Sequence, residues 1–206
     1  MLNWLTARTR RKQSADGLYE AIVAHSRLPA FYAQCGVPDT MNGRLEMILL
    51  LVVVVLRRLK REGEEGQRLG QLLLERLVGD VDDAFRQIGI GDDGVARRVP
   101  LMSGALQERV ADYGPWLDPV SSTESGPETR SGGLARALLE HVYRVGRDVP
   151  DPKAESNARW LGDHILGCVR TLADQPSRQL LGGELAWPPL RLPTEASRGG
   201  RPGRSA

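Results

Sequence analysis

Apolar positions recur with helical spacing along most of this chain, and one stretch departs from that pattern. From Met47 to Leu56 the sequence MILLLVVVVL is apolar at every position, and Arg57 and Arg58 close it. The four valines Val52–Val55 taken alone favour a strand, because β-branched side chains suit a pleated surface. Length decides against that reading: neither Gly nor Pro occurs from Arg44 to Arg61, which is too long for an ordinary strand and comfortable for a helix. On such a helix Leu45, Ile48, Leu49, Val52, Leu56 and Leu59 line one face, and Met47, Leu50, Leu51 and Val54 cover the opposite one. A helix apolar all round is either buried or in a membrane. The uncharged run is about half of the roughly 20 residues that span a bilayer, so residues 44–61 are predicted as a buried core helix.

The flanking segments read as amphipathic helices that wrap it. The first is expected to start at Ser14 or Asp16, either of which can cap it, and to end before Pro29, with Leu18, Tyr19, Ile22, Val23 and Ser26 on one face. A short helical turn around Phe31–Cys35 follows. The stripe Leu69, Leu72, Leu73, Leu77, Val81, Ala84, Phe85, Ile88 predicts a long helix after the polar break Glu62–Gln67. Val95, Val99, Met102, Leu106, Val110 and Tyr113 predict the next, with Pro100 a local irregularity. Periodicity then disappears in the Ser-, Thr-, Gly- and Pro-rich stretch from 114 to 133, read as a mobile loop. Two more helices cover Leu134–Gly146 and Ala154–Ala173, and Trp187-Pro188-Pro189-Leu190 is expected to be extended and docked by its indole. The predicted architecture is all-α: one domain of about six or seven helices over residues 14–192, with a flexible basic N-terminus at 1–13 and a disordered tail at 193–206.

Composition narrows the function classes. A formal net charge of +2 over 206 residues excludes a wholesale nucleic-acid-binding composition, and no DNA partner is expected. Basic residues gather at the ends, as Arg8, Arg10, Arg11 and Lys12 and as Arg198, Arg201 and Arg204. The N-terminal MLNWLTARTRRK places bulky residues before its charges, the reverse of a secretory signal. It reads as a frayed terminus, or as a short anchor with Leu2, Trp4 and Leu5 in lipid headgroups and the basic cluster facing anionic lipid. Cys35 and Cys168 have no CxxC spacing, which argues against a disulfide framework or a zinc ribbon and for a reducing compartment.

Candidate chemistry is sparse. In Gly36-Val37-Pro38-Asp39-Thr40, Gly36 permits a left-handed backbone, Pro38 fixes φ, and Asp39 or Thr40 can accept a bond from the free amides opening the central helix. Arg44 and Glu46 sit at the mouth of that helix, where charges need partners; Asp39, Asp82 and Asp92 are the candidates, and a contact surface is the alternative. Asp80, Asp82 and Asp83 suggest a magnesium site for a diphosphate, but they lack the DDxxD spacing and a second cluster, so a solvated helical face is the reading. Gly89–Gly94 precedes a helix without a preceding strand or a following Lys-Ser/Thr, so it is read as a sharp turn instead of a phosphate cradle. His25 is read as a packed or solvated side chain. His164 and Cys168, one turn apart, supply half of a metal site with no second pair of ligands in view, so no metal is assigned. Without a nucleophile beside a base or a cofactor loop, neither an enzyme nor a cofactor is expected.

Three blocks carry a resemblance: LYEAIVAHSRLPAFY at 18–32, GVPDTMNGRLEM at 36–47, and DVDDAFRQIGIGDDGVARRV at 80–99, followed by Arg109 and Tyr113. Together they resemble the ubiquinol-cytochrome c chaperone family across roughly residues 17–175. Departures stand at Leu45, where an aromatic is the family habit, at Leu51, often a histidine, and at Glu108, usually a glycine. The resemblance implies an all-helical, non-enzymatic assembly chaperone of the cytochrome bc1 complex that binds newly made cytochrome b, with a second assembly factor and the ribosome as further partners. The contact surface it suggests comprises Tyr32, Val37, Pro38, Asp39, Thr40, Arg44 and Glu46, joined by Arg86, Gly89, Gly91 and Asp92; the same residues could equally serve to cap and lock helices. The alternatives from other classes are a ribosome or RNA adaptor working through its basic ends, and a helical enzyme acting on an isoprenoid or diphosphate lipid. Alanine, arginine and glycine usage points to a bacterial source, hence a cytoplasmic protein peripheral to the inner membrane; a eukaryotic one would lie on the mitochondrial matrix side.

Overall fold

The computed structural model describes residues 2–87, 95–118, 127–144 and 151–191. The apolar run is a helix throughout: α3 spans Met41–Lys60. Thr40 caps it from an extended backbone, its Oγ1 accepting the Gly43 amide at 3.1 Å. Arg57, Arg58 and Lys60 lie in its last turn, where cations offset the partial negative charge of the free carbonyls. Met47, every residue from Leu49 to Val55, and Leu59 are buried. The valines are helical because their burial on all faces outweighs a strand propensity of at most about 1 kcal/mol.

Around α3 stand α1 (Leu2–Ser26), α2 (Pro29–Ala33), α4 (Gly63–Gln87), α5 (Val95–Leu117), α6 (Pro127–Leu138), α7 (Ala154–Asp174) and α8 (Ser177–Leu181). A π-helical turn, Leu139–Tyr143, continues α6. Helices α1, α4, α5 and α7 and the π-turn all pack against α3, and α1 packs along α4. No strand occurs among the described residues, and no described helix is long and apolar enough to cross a membrane.

Several boundaries differ from expectation for physical reasons. Helix α1 begins at Leu2 instead of at a Ser14 or Asp16 cap, so the stretch read as a flexible basic arm continues the helix; Ser14 and Ala15 are buried, which places the expected cap inside the packed body. The 114–133 segment read as a loop is helical at both ends, since α5 runs to Leu117 and α6 starts at Pro127. Tertiary contacts hold these ends: the Arg130 guanidinium donates to the Trp116 carbonyl at 3.3 Å, Ser131 Oγ donates to Asp163 at 2.6 Å, and the Trp116 ring lies against Gly133. Pro suits the first helical turn because the amide it lacks has no partner there. At the far end, Trp187 docks as expected, its indole donating to the Ala21 carbonyl at 3.3 Å. The expected turn at Gly89–Gly94 and the tail beyond Pro193 lie outside the described residues.

Two polar ties fix the helices in register. Arg58, near the end of α3, donates to the carbonyls of Leu172 at 2.7 Å and Gln175 at 3.1 Å, satisfying acceptors that the end of α7 leaves free, and it pairs with Glu62. Between α1 and α4, the Tyr19 hydroxyl donates to Asp80 at 2.7 Å while Arg76 bridges Asp16 and Asp80 at 3.5 and 3.4 Å. Arg86 pairs with Asp82 at 2.9 Å. Asp80 and Asp82 are therefore held in interhelical and intrahelical bonds, a correction to the solvated face read from the sequence; Asp83 is exposed as expected.

Candidate functional site

The turn that opens α3 shapes the surface beside it. Gly36 adopts the left-handed backbone expected of it, at φ 67°. The chain then packs down, with Val37 and Pro38 buried and the Val37 amide bonded to the Phe31 carbonyl at 3.1 Å. A Cβ at Gly43 would collide with the Pro38 carbonyl oxygen, so the turn can close on the helix only where no side chain stands. Asp39 and Thr40 are exposed at its tip. Asp39 accepts from Arg44 Nε at 2.6 Å, which raises the Arg44 pKa, and the same guanidinium lies 5.2 Å from the centre of the Tyr32 ring. The Tyr32 hydroxyl donates to the Ser26 carbonyl at 2.7 Å, so the aromatic platform is itself anchored.

Two residues beyond Arg44 on α3, and so on the opposite face, Glu46 points inward. Its carboxylate accepts two bonds from Arg109 of α5, Nη2 at 2.6 Å and Nε at 3.1 Å, in a fork geometry that suits both planar groups. Both residues are buried, and Glu108 adds a second carboxylate at the rim. Burial works against the Arg109 charge, but the hydrogen bond and attraction of Glu46 outweigh it and raise its pKa. Asp39, Asp82 and Asp92 are the partners that the sequence suggests for Arg44 and Glu46. Asp39 is the partner of Arg44, whereas the partner of Glu46 is a residue 63 positions away that no local spacing could nominate.

Beside this turn, α1, α3 and α4 leave an open groove of about 360 Å³. Leu45, Ile48, Val81 and Ala84 supply apolar lining, Met41 stands at its edge with 52% of its surface exposed, and Arg27, Arg44, Tyr19 and Asp80 provide the polar rim. The apolar stripe of α4 explains its origin. Leu69, Leu73 and Leu77 are buried, but the stripe continues into half-buried Val81 and exposed Ala84, which line the groove together with half-buried Leu45 and Ile48 of α3. Such a groove, apolar within and cationic at the edge, suits an amphipathic helix or an extended apolar segment.

The suggested contact residues therefore fall into separate places. Tyr32, Asp39 and Arg44 come together at the groove's edge; Val37, Pro38 and Thr40 build the turn; Glu46 is interior; Arg86 is exposed further along α4; Gly89, Gly91 and Asp92 lie outside the described residues. The helical periodicity puts Leu45, Ile48, Val81 and Ala84 on apolar stripes, and no stripe includes Met41. The surplus length of the α4 stripe was the one available signal. The structure also brings His25 of α1 to the His164–Cys168 pair of α7.

The family model described as ubiquinol-cytochrome C chaperone matches residues 33–187. Ubiquinol-cytochrome c reductase complex assembly factor 1 of Homo sapiens is 24% identical over 180 residues, 87% of this chain and 55% of that protein. The Mus musculus protein of the same name is 24% identical over 87% of this chain and 56% of its own length. This chain thus spans a little over half the length of these two relatives. Among solved structures, the Cbp3 homolog from Brucella abortus superposes with a TM-score of 0.74 at 31% identity, covering 92% of this chain and 98% of that one. With a match across most of the chain, and with the Gly36–Thr40 turn, the buried apolar α3 and the Glu46–Arg109 tie in one helical body, the protein belongs to the ubiquinol-cytochrome c chaperone family.

Proposed function

We propose that this protein is an assembly chaperone of the ubiquinol-cytochrome c reductase complex, and that it holds an apolar segment of newly synthesised cytochrome b in the groove between α1, α3 and α4. The observation that carries this reading is the groove's apolar lining left open to solvent beside the exposed Met41. A holding protein needs only a surface complementary to apolar segments, and burying that lining against a client returns about 25 cal/mol per Å² of apolar surface. Arg27 and Arg44 at the rim favour a segment flanked by acidic residues or ending in free helix carbonyls. The reading requires no catalytic step. Arg8, Arg10 and Lys12 project from α1 into solvent, which supports contact with anionic lipid at the inner membrane, or the matrix side of the mitochondrial membrane, where a multi-span client is inserted. A second assembly factor and the ribosome are the further partners of this reading.

The test places a photo-crosslinking side chain at Met41 in the native host and compares Met41→Glu and Ala84→Glu, both at exposed positions where a charge leaves the fold intact. Crosslinks to cytochrome b from position 41, with reduced bc1 complex in both glutamate variants at normal chaperone levels, are expected. Normal complex in both variants, or crosslinks only to unrelated proteins, would overturn the proposal.

A further inference from the structure

His25, His164 and Cys168 meet in a cage of aromatic rings. Their ligand atoms, the imidazole nitrogens and the thiol sulfur, all lie within 4.8 Å of one another. His25 Nε2 faces His164 Nε2 at 3.1 Å, and Cys168 Sγ faces that same nitrogen at 3.6 Å. Trp187 stacks on the His25 ring at 4.7 Å, Trp160 lies parallel to His164 at 5.9 Å, and Phe31 meets both imidazoles edge-on at 5.7 and 5.6 Å. The strap that carries Trp187 is held down at both ends of the cage, by the Trp187 indole on Ala21 and by the Trp160 indole on the Arg191 carbonyl at 2.8 Å.

Hydrogen bonding alone serves this arrangement poorly. Each imidazole nitrogen carries either one hydrogen or one lone pair, so His164 Nε2 can engage His25 or Cys168 well, but not both. A single central ion would engage all three. With bonds of about 2.0–2.1 Å to nitrogen and about 2.3 Å to sulfur, a trigonal three-coordinate centre holds two nitrogens about 3.6 Å apart and a nitrogen and a sulfur about 3.8 Å apart. The His25–His164 and His164–Cys168 separations lie within about half an ångström of these values, and His25 and Cys168 lie within 4.8 Å of each other.

We propose that His25, His164 and Cys168 form a largely buried three-coordinate site for a soft monovalent metal ion, copper(I), beside the Trp187 strap. Thiolate and imidazole donors together select copper and zinc over magnesium, calcium or manganese. Charge then separates the two. One thiolate neutralises copper(I) but leaves zinc(II) with a net positive charge among apolar rings, where an uncompensated charge is costly. The imidazoles are already neutral in this setting: burial lowers the pKa of both His25 and His164 to about 4, and His164 adds to the shift at His25. Burial also holds Cys168 protonated, with its pKa raised to about 12, so the ion must displace one thiol proton as it binds. No redox change is involved.

The full-length chain, reduced and anaerobic, is titrated against copper(I) held by a chromophoric chelator. One equivalent withdrawn per chain is expected, with tryptophan fluorescence quenched through Trp187 and Trp160 and with two nitrogen and one sulfur neighbours in X-ray absorption. Cys168→Ala and His25→Phe each weaken binding by more than about 100-fold, beyond what loss of an outer-shell partner causes, whereas Cys35→Ala, at the other buried cysteine, binds as the parent does. If a ligand variant folds poorly, the melting temperature of the parent chain with and without copper(I) decides: a rise supports the site and an unchanged value refutes it. The proposal also falls if the parent withdraws no copper, if Cys168→Ala retains it, or if equimolar zinc(II) displaces it.

Discussion

The Glu46–Arg109 pair permits a sharp test of how this body is held together. Both side chains are 10% exposed, and together they exchange two hydrogen bonds between α3 and α5. Removing one partner from a buried pair strands the other charge and costs about 3–5 kcal/mol, whereas replacing both with apolar groups of similar volume is often neutral or stabilising. The structure predicts an asymmetry within that range. Glu46→Leu leaves Arg109 with Glu108, whose side chain is 60% exposed, so its cost should fall near 3 kcal/mol. Arg109→Leu leaves Glu46 with neither of its two bonds and should cost about 5 kcal/mol. Because each leucine removes a penalty the other creates, the double variant should recover most of the loss. Urea unfolding at neutral pH, followed by tryptophan fluorescence and circular dichroism, reads this directly: with a slope of about 2 kcal/mol per molar, the single variants lose roughly 1.5–2.5 M from the midpoint. Single variants within about 1 kcal/mol of the parent, or a double variant as unstable as the sum of the singles, would refute a buried and coupled pair.

The remaining expectations bear on the core, the helix ends and the cage. Leu50→Ala, at a fully buried position on α3, should cost about 2–5 kcal/mol in the same urea assay. Gly43→Ala forces the opening turn off α3 and should cost about 1–3 kcal/mol, detected as a lower melting temperature. Arg58→Met, which frees the carbonyls of Leu172 and Gln175, should cost about 1.5–3 kcal/mol and speed amide exchange at the end of α7. In the metal-free protein the folded-state pKa of His25 and His164 is about 4 against 6.5 unfolded. The unfolded chain then binds more protons in that window, so stability present above pH 6.5 is lost as pH falls towards 4, and equal urea midpoints at pH 7 and pH 5 would contradict the buried cage.

Local signals decided much of this architecture. The length of the unbroken apolar run made α3 a buried helix despite its four valines, and periodic leucines located α4. The glycine-containing turn before α3 was equally legible, because Gly36 and the Thr40 cap act on their immediate neighbours. Only the ends of the 114–133 stretch escape its loop-like composition: Trp116 on Gly133 and Arg130 on the Trp116 carbonyl hold helix to Leu117 and from Pro127. Propensity differences of well under 1 kcal/mol per residue yield to such contacts.

What the sequence by itself determined was the set of elements whose causes lie within a few turns of chain: the apolar core helix, its caps and its basic stop. Only the tertiary structure decided that Arg109 answers Glu46, that the surplus stripe on α4 opens as a groove, and that His25 faces His164 and Cys168. Each of these joins helices whose relative rotation is set by packing of the whole apolar surface, and a rotation of one residue, about 100° on a helix, would separate every one of them.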